Sequence, residues 1–124
     1  MILPADLITA QIEAVAADIA LHATKIGMLG DAAVVESVVA AIEELELPLV
    51  VVDPVMVAKS GDHLLATEAV DAVRRALLPV ARVVTPNIPE AEVLVGGRIE
   101  SLDDAIAAAH AIRGLGAQAV VVKG

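Results

Sequence analysis

The 124-residue sequence contains no cysteine. A disulfide, a thiolate nucleophile and a cysteine-based zinc site are therefore excluded for these residues. The three histidines, at positions 22, 63 and 110, lie on separate predicted elements without an i, i+4 pair. They give no support to a histidine metal cluster or a Ser-His-Asp triad, so any metal site has to rely on carboxylates.

Phenylalanine, tyrosine and tryptophan are absent too, although 58% of the residues are hydrophobic. The core must be built from Val, Leu, Ile, Ala and Met, which suits parallel strands covered by helices. This hydrophobicity excludes an intrinsically disordered chain. The length fits a single domain.

Basic residues are scarce: eight Lys and Arg stand against 17 Asp and Glu, a net charge of −9. Such a chain repels a phosphate backbone, so nucleic acid is not an expected partner. The longest apolar stretch, Leu47 to Ala58, is broken by Asp53 and two prolines and falls short of the roughly 18 residues of a membrane span. The first residues lack the pattern of a secretory signal. We expect a soluble, cytoplasmic protein that does not enter membranes.

Apolar periodicity alternates between helical and strand-like along the chain. It predicts helices at about 4–22, 32–45, 67–78, 89–95 and 102–115, and strands at 23–29, 49–53, 81–85 and 118–122. Four strands separated by helices indicate right-handed crossovers and a mostly parallel sheet. The predicted fold is α/β, a three-layer doubly wound sheet with helices on both faces.

In such sheets ligands bind beyond the carboxyl ends of the strands. This rule selects Gly27, Asp53, Thr85, Asn87 and Lys123. Asp53 ends an apolar strand and precedes a proline, a position suited to a Mg²⁺ or water ligand and equally to an acid that caps a loop. Lys123, at the end of the last strand, can neutralise a nucleotide phosphate.

The segment Asn87-Ile88-Pro89-Glu90 places an amide before a predicted helix and a carboxylate in its first turn. Free N–H groups at such a terminus attract phosphate, and Glu90 can reach the water shell of a metal. The same pattern is also that of a simple helix cap. Both interpretations remain open from the residues alone.

Two common nucleotide motifs are missing. The run Lys59-Ser60-Gly61-Asp62 lacks the preceding Gly-rich stretch with which a P-loop surrounds phosphates. No GxGxxG dinucleotide fingerprint occurs either. A P-loop NTPase and a Rossmann oxidoreductase are therefore not indicated.

Four stretches of the sequence are distinctive when they are taken together: IGMLG (26–30), VVDPVMVAKSGDHLL (51–65), LLPVARVVTPNIPEAEVL (77–94) and GAQAVVVKG (116–124). They closely resemble the hydroxymethylpyrimidine and phosphomethylpyrimidine kinases of thiamine synthesis, which have the ribokinase-like fold. The resemblance covers essentially the whole chain, in matching order and spacing. It implies ATP-dependent phosphorylation of hydroxymethylpyrimidine and then of its monophosphate, with ATP and Mg²⁺ as cofactors.

The resemblance also implies roles for individual residues. Asp53 and Glu90 would organise Mg²⁺, and Asn87, Lys123 and Thr85 would lie at the ATP phosphates. Met28 and Val55, with Gly27, would surround the pyrimidine ring. A small-molecule pyrimidine and ATP are the implied partners.

Two parts of that family's pattern are absent from residues 1–124: an upstream Gly-rich start, and a downstream GTGC segment that forms the anion hole and carries the catalytic base. We therefore expect a single, partial ribokinase-like domain, with no catalytic base of its own and little or no turnover alone. Uncovered sheet edges would favour homo-oligomers. A pyridoxal kinase-like enzyme and a non-catalytic nucleotide-binding or assembly module remain the alternatives.

Overall fold

Helices and strands alternate along the chain as the apolar periodicity predicts. The structure is a computed structural model that describes residues 2–56 and 67–124. The helices are α1 (Ala5–Asp18), α2 (Ala32–Glu44), α3 (Thr67–Ala72), α4 (Ile88–Val95) and α5 (Leu102–Gly114). The strands are β1 (Thr24–Ile26), β2 (Val50–Val52), β3 (Val83–Val84) and β4 (Ala119–Val120). The run from Lys59 to Asp62 lies outside the described residues.

The four strands form one sheet in the order β1-β2-β3-β4, and every pair is parallel. The register aligns Ile26 with Val52, Val52 with Val84, and Val84 with Val120. Successive strands are neighbours because each crossover, built around a helix, moves one position along the sheet. The predicted parallel α/β fold is confirmed.

Burial differs between the two faces of the sheet. Ile26, Val50, Val52 and Val84 are buried in one cluster with residues of α2, α3, α4 and α5. The alternating residues on the other face are half-buried or exposed and stand outside this cluster: Lys25, Val51, Val83 and Ala119. The core of the described residues therefore lies on one face of the sheet. The face that carries Lys25, Val51, Val83 and Ala119 is called the open face.

Local sequence signals fix several helix ends. Asp31 caps α2 by accepting a hydrogen bond from the Val34 N–H at 2.9 Å, and Ser101 caps α5 through the Asp104 N–H at 3.1 Å. Gly96 ends α4 in the left-handed conformation, with φ of 71°, which a residue without Cβ adopts at little cost. None of the helices in the described ranges is long and apolar enough to span a membrane.

Several predicted boundaries need correction, since β3 and β4 are each two residues long and not the five predicted at 81–85 and 118–122. Helix α1 ends at Asp18, not near His22, because Ile19 already has an extended backbone that turns the chain toward β1. Strand β1 covers only 24–26 of the predicted 23–29, since β2, its partner, is itself three residues long. The carboxyl end of β1 therefore continues as an exposed segment that begins at Gly27.

The helix predicted at 67–78 is not regular throughout. After α3 it widens into a π-helical turn at Val73–Leu77 and then tightens into a 3₁₀ turn at Leu78–Val80. The Leu78 N–H donates to the Val73 carbonyl, five residues back. Pro79 explains the change, because its ring cannot pack against the carbonyl of Arg75 in a regular helix.

Candidate functional site

The residues selected by the strand-end rule lie along one edge of the sheet. Gly27 follows β1 and Asp53 follows β2, where the Asp53 N–H donates to the Ile26 carbonyl at 2.8 Å. Thr85 follows β3, and its N–H donates to the Val52 carbonyl at 2.9 Å. Beyond β4, Lys123 forms an isolated parallel bridge with Asn87. All are thus anchored by backbone hydrogen bonding or by their position at the end of a paired strand.

Asp53 and Lys123 form an ion pair across this edge. The Lys123 Nζ lies 3.5 Å from Asp53 Oδ1, and the side chains are 49% and 27% exposed, respectively. The Lys123 backbone is fixed by its N–H, which donates to the Pro86 carbonyl at 2.8 Å. The ammonium is therefore held by a defined backbone, while its partner carboxylate remains accessible to solvent.

The Lys123 side chain reaches Asp53 over an intervening strand. Asp53 follows β2 and Lys123 follows β4, and β3 lies between them. Neighbouring strands are about 4.8 Å apart, so the lysine must extend across the end of β3 to make the pair. This places the ammonium over the stretch that leads from Thr85 to the start of α4.

A capping box shapes the start of α4. Asn87 Oδ1 accepts from the Glu90 N–H, and Glu90 Oε1 accepts from the Asn87 N–H, each at 2.9 Å. Glu90 is only 3% exposed, the one charged side chain buried among the described residues. The box engages one oxygen of each side chain, which leaves the Asn87 amide Nδ2 and the Glu90 Oε2 outside it.

The predicted substrate residues border the same edge with different exposures. Met28 is 62% exposed, Val55 is half-buried, and a Cβ placed on Gly27 would meet no atom within 4 Å. The Val55 N–H donates to the Asp53 carbonyl at 2.8 Å, which ties Val55 directly to the ion pair. Met28 and Gly27 leave an open surface at the end of β1.

A cavity of about 480 Å³ lies beside this edge and does not include the ion pair. It is lined mostly by apolar side chains of α1, β1 and α2, among them Ile12, Val15 and Ile42, and also by Gly27. Neither Asp53 nor Lys123 contributes to it. We base the functional site on the convergent polar groups at the strand ends, since cavity size alone does not supply chemistry.

Sequence reasoning selected both Asp53 and Lys123 but did not predict that they pair. They are 70 residues apart, and only the register of β2, β3 and β4 brings them together. No group of three or more His, Cys, Asp or Glu that could hold a metal occurs in ranges 2–56 and 67–124. A divalent cation at this edge would therefore rely on few protein ligands.

Comparison with known proteins gives matches over almost the whole chain. The family model for phosphomethylpyrimidine kinase matches residues 1–124. A hydroxymethylpyrimidine/phosphomethylpyrimidine kinase from Bacillus subtilis (strain 168) is 46% identical over 114 residues, which cover 92% of this chain and 42% of that protein. The chain thus spans less than half the length of this relative.

Solved structures agree with the sequence matches. The crystal structure of a phosphomethylpyrimidine kinase from Clostridium difficile 630 has a TM-score of 0.92 and 40% identity, over 98% of this chain and 53% of that one. A pyridoxal kinase from Staphylococcus aureus in complex with AMP-PCP and pyridoxal has a TM-score of 0.83 and 38% identity, over 98% and 43% of the two chains. The fold is therefore that of these vitamin kinases, and this chain belongs to the phosphomethylpyrimidine kinase family.

Proposed function

We propose that residues 1–124 provide the metal- and phosphate-binding edge of an ATP-dependent kinase that phosphorylates hydroxymethylpyrimidine and then its monophosphate. The observation that carries the proposal is the Asp53–Lys123 ion pair of 3.5 Å beside the capped start of α4. A carboxylate, an ammonium and a helix N-terminus meet at one edge. Groups of these kinds bind a nucleoside triphosphate and its metal.

Asp53 and Glu90 are proposed to hold a magnesium ion. Mg²⁺ keeps several waters and is typically bound through one or two carboxylates together with substrate phosphates, so a large acidic cluster is not required. Asp53 is partly exposed, already attracts one cation, the Lys123 ammonium, and is held at a strand end. Glu90 Oε2 lies outside the capping box. When bound, the metal would neutralise charge on the transferred phosphoryl group.

Asn87, Lys123 and Thr85 are proposed as the phosphate contacts. Because Asn87 uses its Oδ1 in the cap, its Nδ2–H groups can donate to a phosphate oxygen. The N-terminus of α4 adds positive potential at the same place. Lys123 supplies a full positive charge, and Thr85 follows β3, the strand between those of Asp53 and Lys123.

The substrate ring is proposed to lie near Met28, Val55 and Gly27. The first two offer apolar contact on either side of the edge, and Gly27 leaves space where a side chain would project. A pyrimidine is favoured over pyridoxal because the phosphomethylpyrimidine kinase family model matches residues 1–124 and the Bacillus subtilis relative, 46% identical, is a hydroxymethylpyrimidine/phosphomethylpyrimidine kinase.

No catalytic base is assigned to residues 1–124. The family resemblance places the anion hole and base in a GTGC segment, which this sequence lacks. We propose that these groups come from polypeptide outside this partial domain. We also propose a cytoplasmic location, and a homo-oligomer in which the exposed apolar residues of the open face, such as Val121, are covered.

Calorimetry with AMP-PCP tests the binding part of this proposal. We expect the chain to bind AMP-PCP with Mg²⁺ more tightly than without it, and hydroxymethylpyrimidine to bind the resulting complex more tightly than pyridoxal does. Mass spectrometry with ATP should detect little phosphorylated pyrimidine. Substantial product would show that the base lies within the chain, whereas absence of nucleotide binding would favour a non-catalytic assembly module.

Replacing Glu90 separates its roles as a cap and as a metal-site residue. Glu90→Gln keeps an oxygen for the Asn87 N–H but removes the charge, while Glu90→Ala removes both. We expect Glu90→Ala to lower the free energy of unfolding by about 1 kcal/mol and Glu90→Gln to change it little. Both should weaken Mg²⁺-dependent AMP-PCP binding by roughly tenfold, in the range found for groups around a metal.

Chemical denaturation and calorimetry on the two Glu90 variants check these expectations. Normal AMP-PCP affinity in Glu90→Gln, together with reduced stability in Glu90→Ala, would show that the carboxylate is a helix cap only. The metal site would then rest on Asp53 alone.

A further inference from the structure

The Asp53–Lys123 ion pair has a consequence for the order in which ligands bind, and it rests on the function proposed above. We infer that Lys123 is an internal counter-ion of Asp53 that a divalent metal must displace, and that a bound triphosphate draws this ammonium away and so opens the carboxylate to the metal. Lys123 is thus a positioning residue that couples metal binding to nucleotide binding.

Lys123 and a metal ion compete for one oxygen of Asp53. Lys123 Nζ lies 3.5 Å from Asp53 Oδ1, a separation at which a second cation on the same carboxylate meets strong repulsion from the first. Asp53 has no other ion-pair partner in ranges 2–56 and 67–124. A metal ion that approaches Asp53 in the absence of nucleotide therefore competes directly with the ammonium.

The Lys123 side chain is free to move. The Lys123 backbone is fixed by the bridge to Asn87 and by the Pro86 carbonyl, but its side chain is 49% exposed. Rotation about the bonds of its four-carbon side chain allows the ammonium to leave Asp53 without any change in the sheet. The half-exposed pair is also weakly held, since such pairs contribute at most about 1 kcal/mol.

The start of α4 is the destination that we infer for the Lys123 ammonium when nucleotide binds. The Lys123 backbone is bridged to Asn87, the cap residue of α4, so the lysine side chain begins beside this helix terminus. A triphosphate at that helix terminus carries several negative charges and attracts the ammonium more strongly than one carboxylate does. Movement of Nζ toward the phosphates leaves Asp53 without a counter-ion at the moment when the metal is required.

The test is the binding of Mn²⁺, followed by electron paramagnetic resonance, to the 124-residue chain without any nucleotide. Lys123→Met should tighten Mn²⁺ binding by roughly three- to tenfold. Breaking an exposed ion pair alone costs a few-fold in affinity, and the ammonium also repels the doubly charged metal ion. The same variant should weaken the binding of AMP-PCP. Competition predicts that Mn²⁺ affinity rises while AMP-PCP affinity falls. A lysine with a purely structural role would not change the two affinities in opposite directions.

Arg98→Met is the matched control. Arg98 forms an exposed ion pair with Glu100 at 3.7 Å, so its loss changes the net charge equally but at another place. Lys123→Arg, which retains the charge, should leave Mn²⁺ affinity near that of the unmodified chain, and Lys123→Gln is the neutral variant that carries the test if Lys123→Met does not fold.

Each result has a distinct meaning. Mn²⁺ affinity that rises more in Lys123→Met than in Arg98→Met supports the inference, and an equal or smaller change overturns it while the proposed kinase site stands. Asp53→Asn should abolish the effect of Lys123→Met. Unchanged Mn²⁺ binding in Asp53→Asn alone would instead overturn the metal site of the proposed function, and with it the inference.

Discussion

Asp53→Asn is expected to weaken Mg²⁺-dependent binding of AMP-PCP by about 100-fold, the upper end of the range for changes around a bound metal. The substitution preserves the size of the side chain and the backbone N–H that donates to the Ile26 carbonyl. It removes the charge at the end of β2. A tenfold loss corresponds to about 1.4 kcal/mol, so this expectation amounts to nearly 3 kcal/mol of lost metal interaction.

The same variant should have the opposite effect when Mg²⁺ is withheld. Without the metal, the Asp53 carboxylate opposes nucleotide binding in two ways. It repels the phosphates, and it holds the Lys123 ammonium at 3.5 Å. Its neutralisation removes the repulsion and releases the lysine. Metal-free AMP-PCP should therefore bind a few-fold more tightly, because an exposed pair and a surface charge each contribute on the order of 1 kcal/mol or less.

Glu100→Gln is the control for this experiment. Glu100 is an exposed acid with an arginine partner, so its neutralisation reproduces the change in net charge without touching the strand ends. Calorimetric titrations with and without Mg²⁺ on both variants give the comparison. Equal affinities for the unmodified chain and Asp53→Asn in Mg²⁺ would mean that Asp53 caps its loop and holds no metal.

The parts of the fold that depend on neighbouring residues were predictable from the sequence. The Asn87–Glu90 capping box, the Ser101 cap and the left-handed Gly96 all arise from side chains and backbone groups within a few residues. The four strands were recognisable because each is a short β-branched run closed by Gly, Pro or a charge. Their parallel pairing followed from the helices between them.

Other features depend on distances that the sequence does not contain. The Asp53–Lys123 pair requires three strands in a particular register and a lysine long enough to cross β3. The π-helical turn at Val73–Leu77 was not predicted either, because the proline at 79 marks a helix end without giving the form of the last turns. Asp53 and Lys123 could therefore be selected one by one, while their relationship became visible only in three dimensions.

Gly116 shows how a loop far from the strand ends supports the site. It links α5 to β4, the strand that carries Lys123, and has a φ of 121° that side chains rarely adopt. A Cβ at this position would lie 2.8 Å from the Pro79 Cα and 3.2 Å from the Pro79 Cβ. Close backbone contact with the 3₁₀ turn therefore leaves room only for glycine.

Gly116→Ala is expected to lower the free energy of unfolding by about 2–4 kcal/mol, since backbone strain and overpacking each cost on the order of 1–3 kcal/mol. Gly114→Ala, two residues earlier at the end of α5, would place its Cβ with no atom within 4 Å and should stabilise by up to about 1 kcal/mol. Urea denaturation of both variants measures the difference. Similar stabilities would mean that the α5–β4 connection relaxes freely around Pro79, and then the position of Lys123 would not depend on this contact.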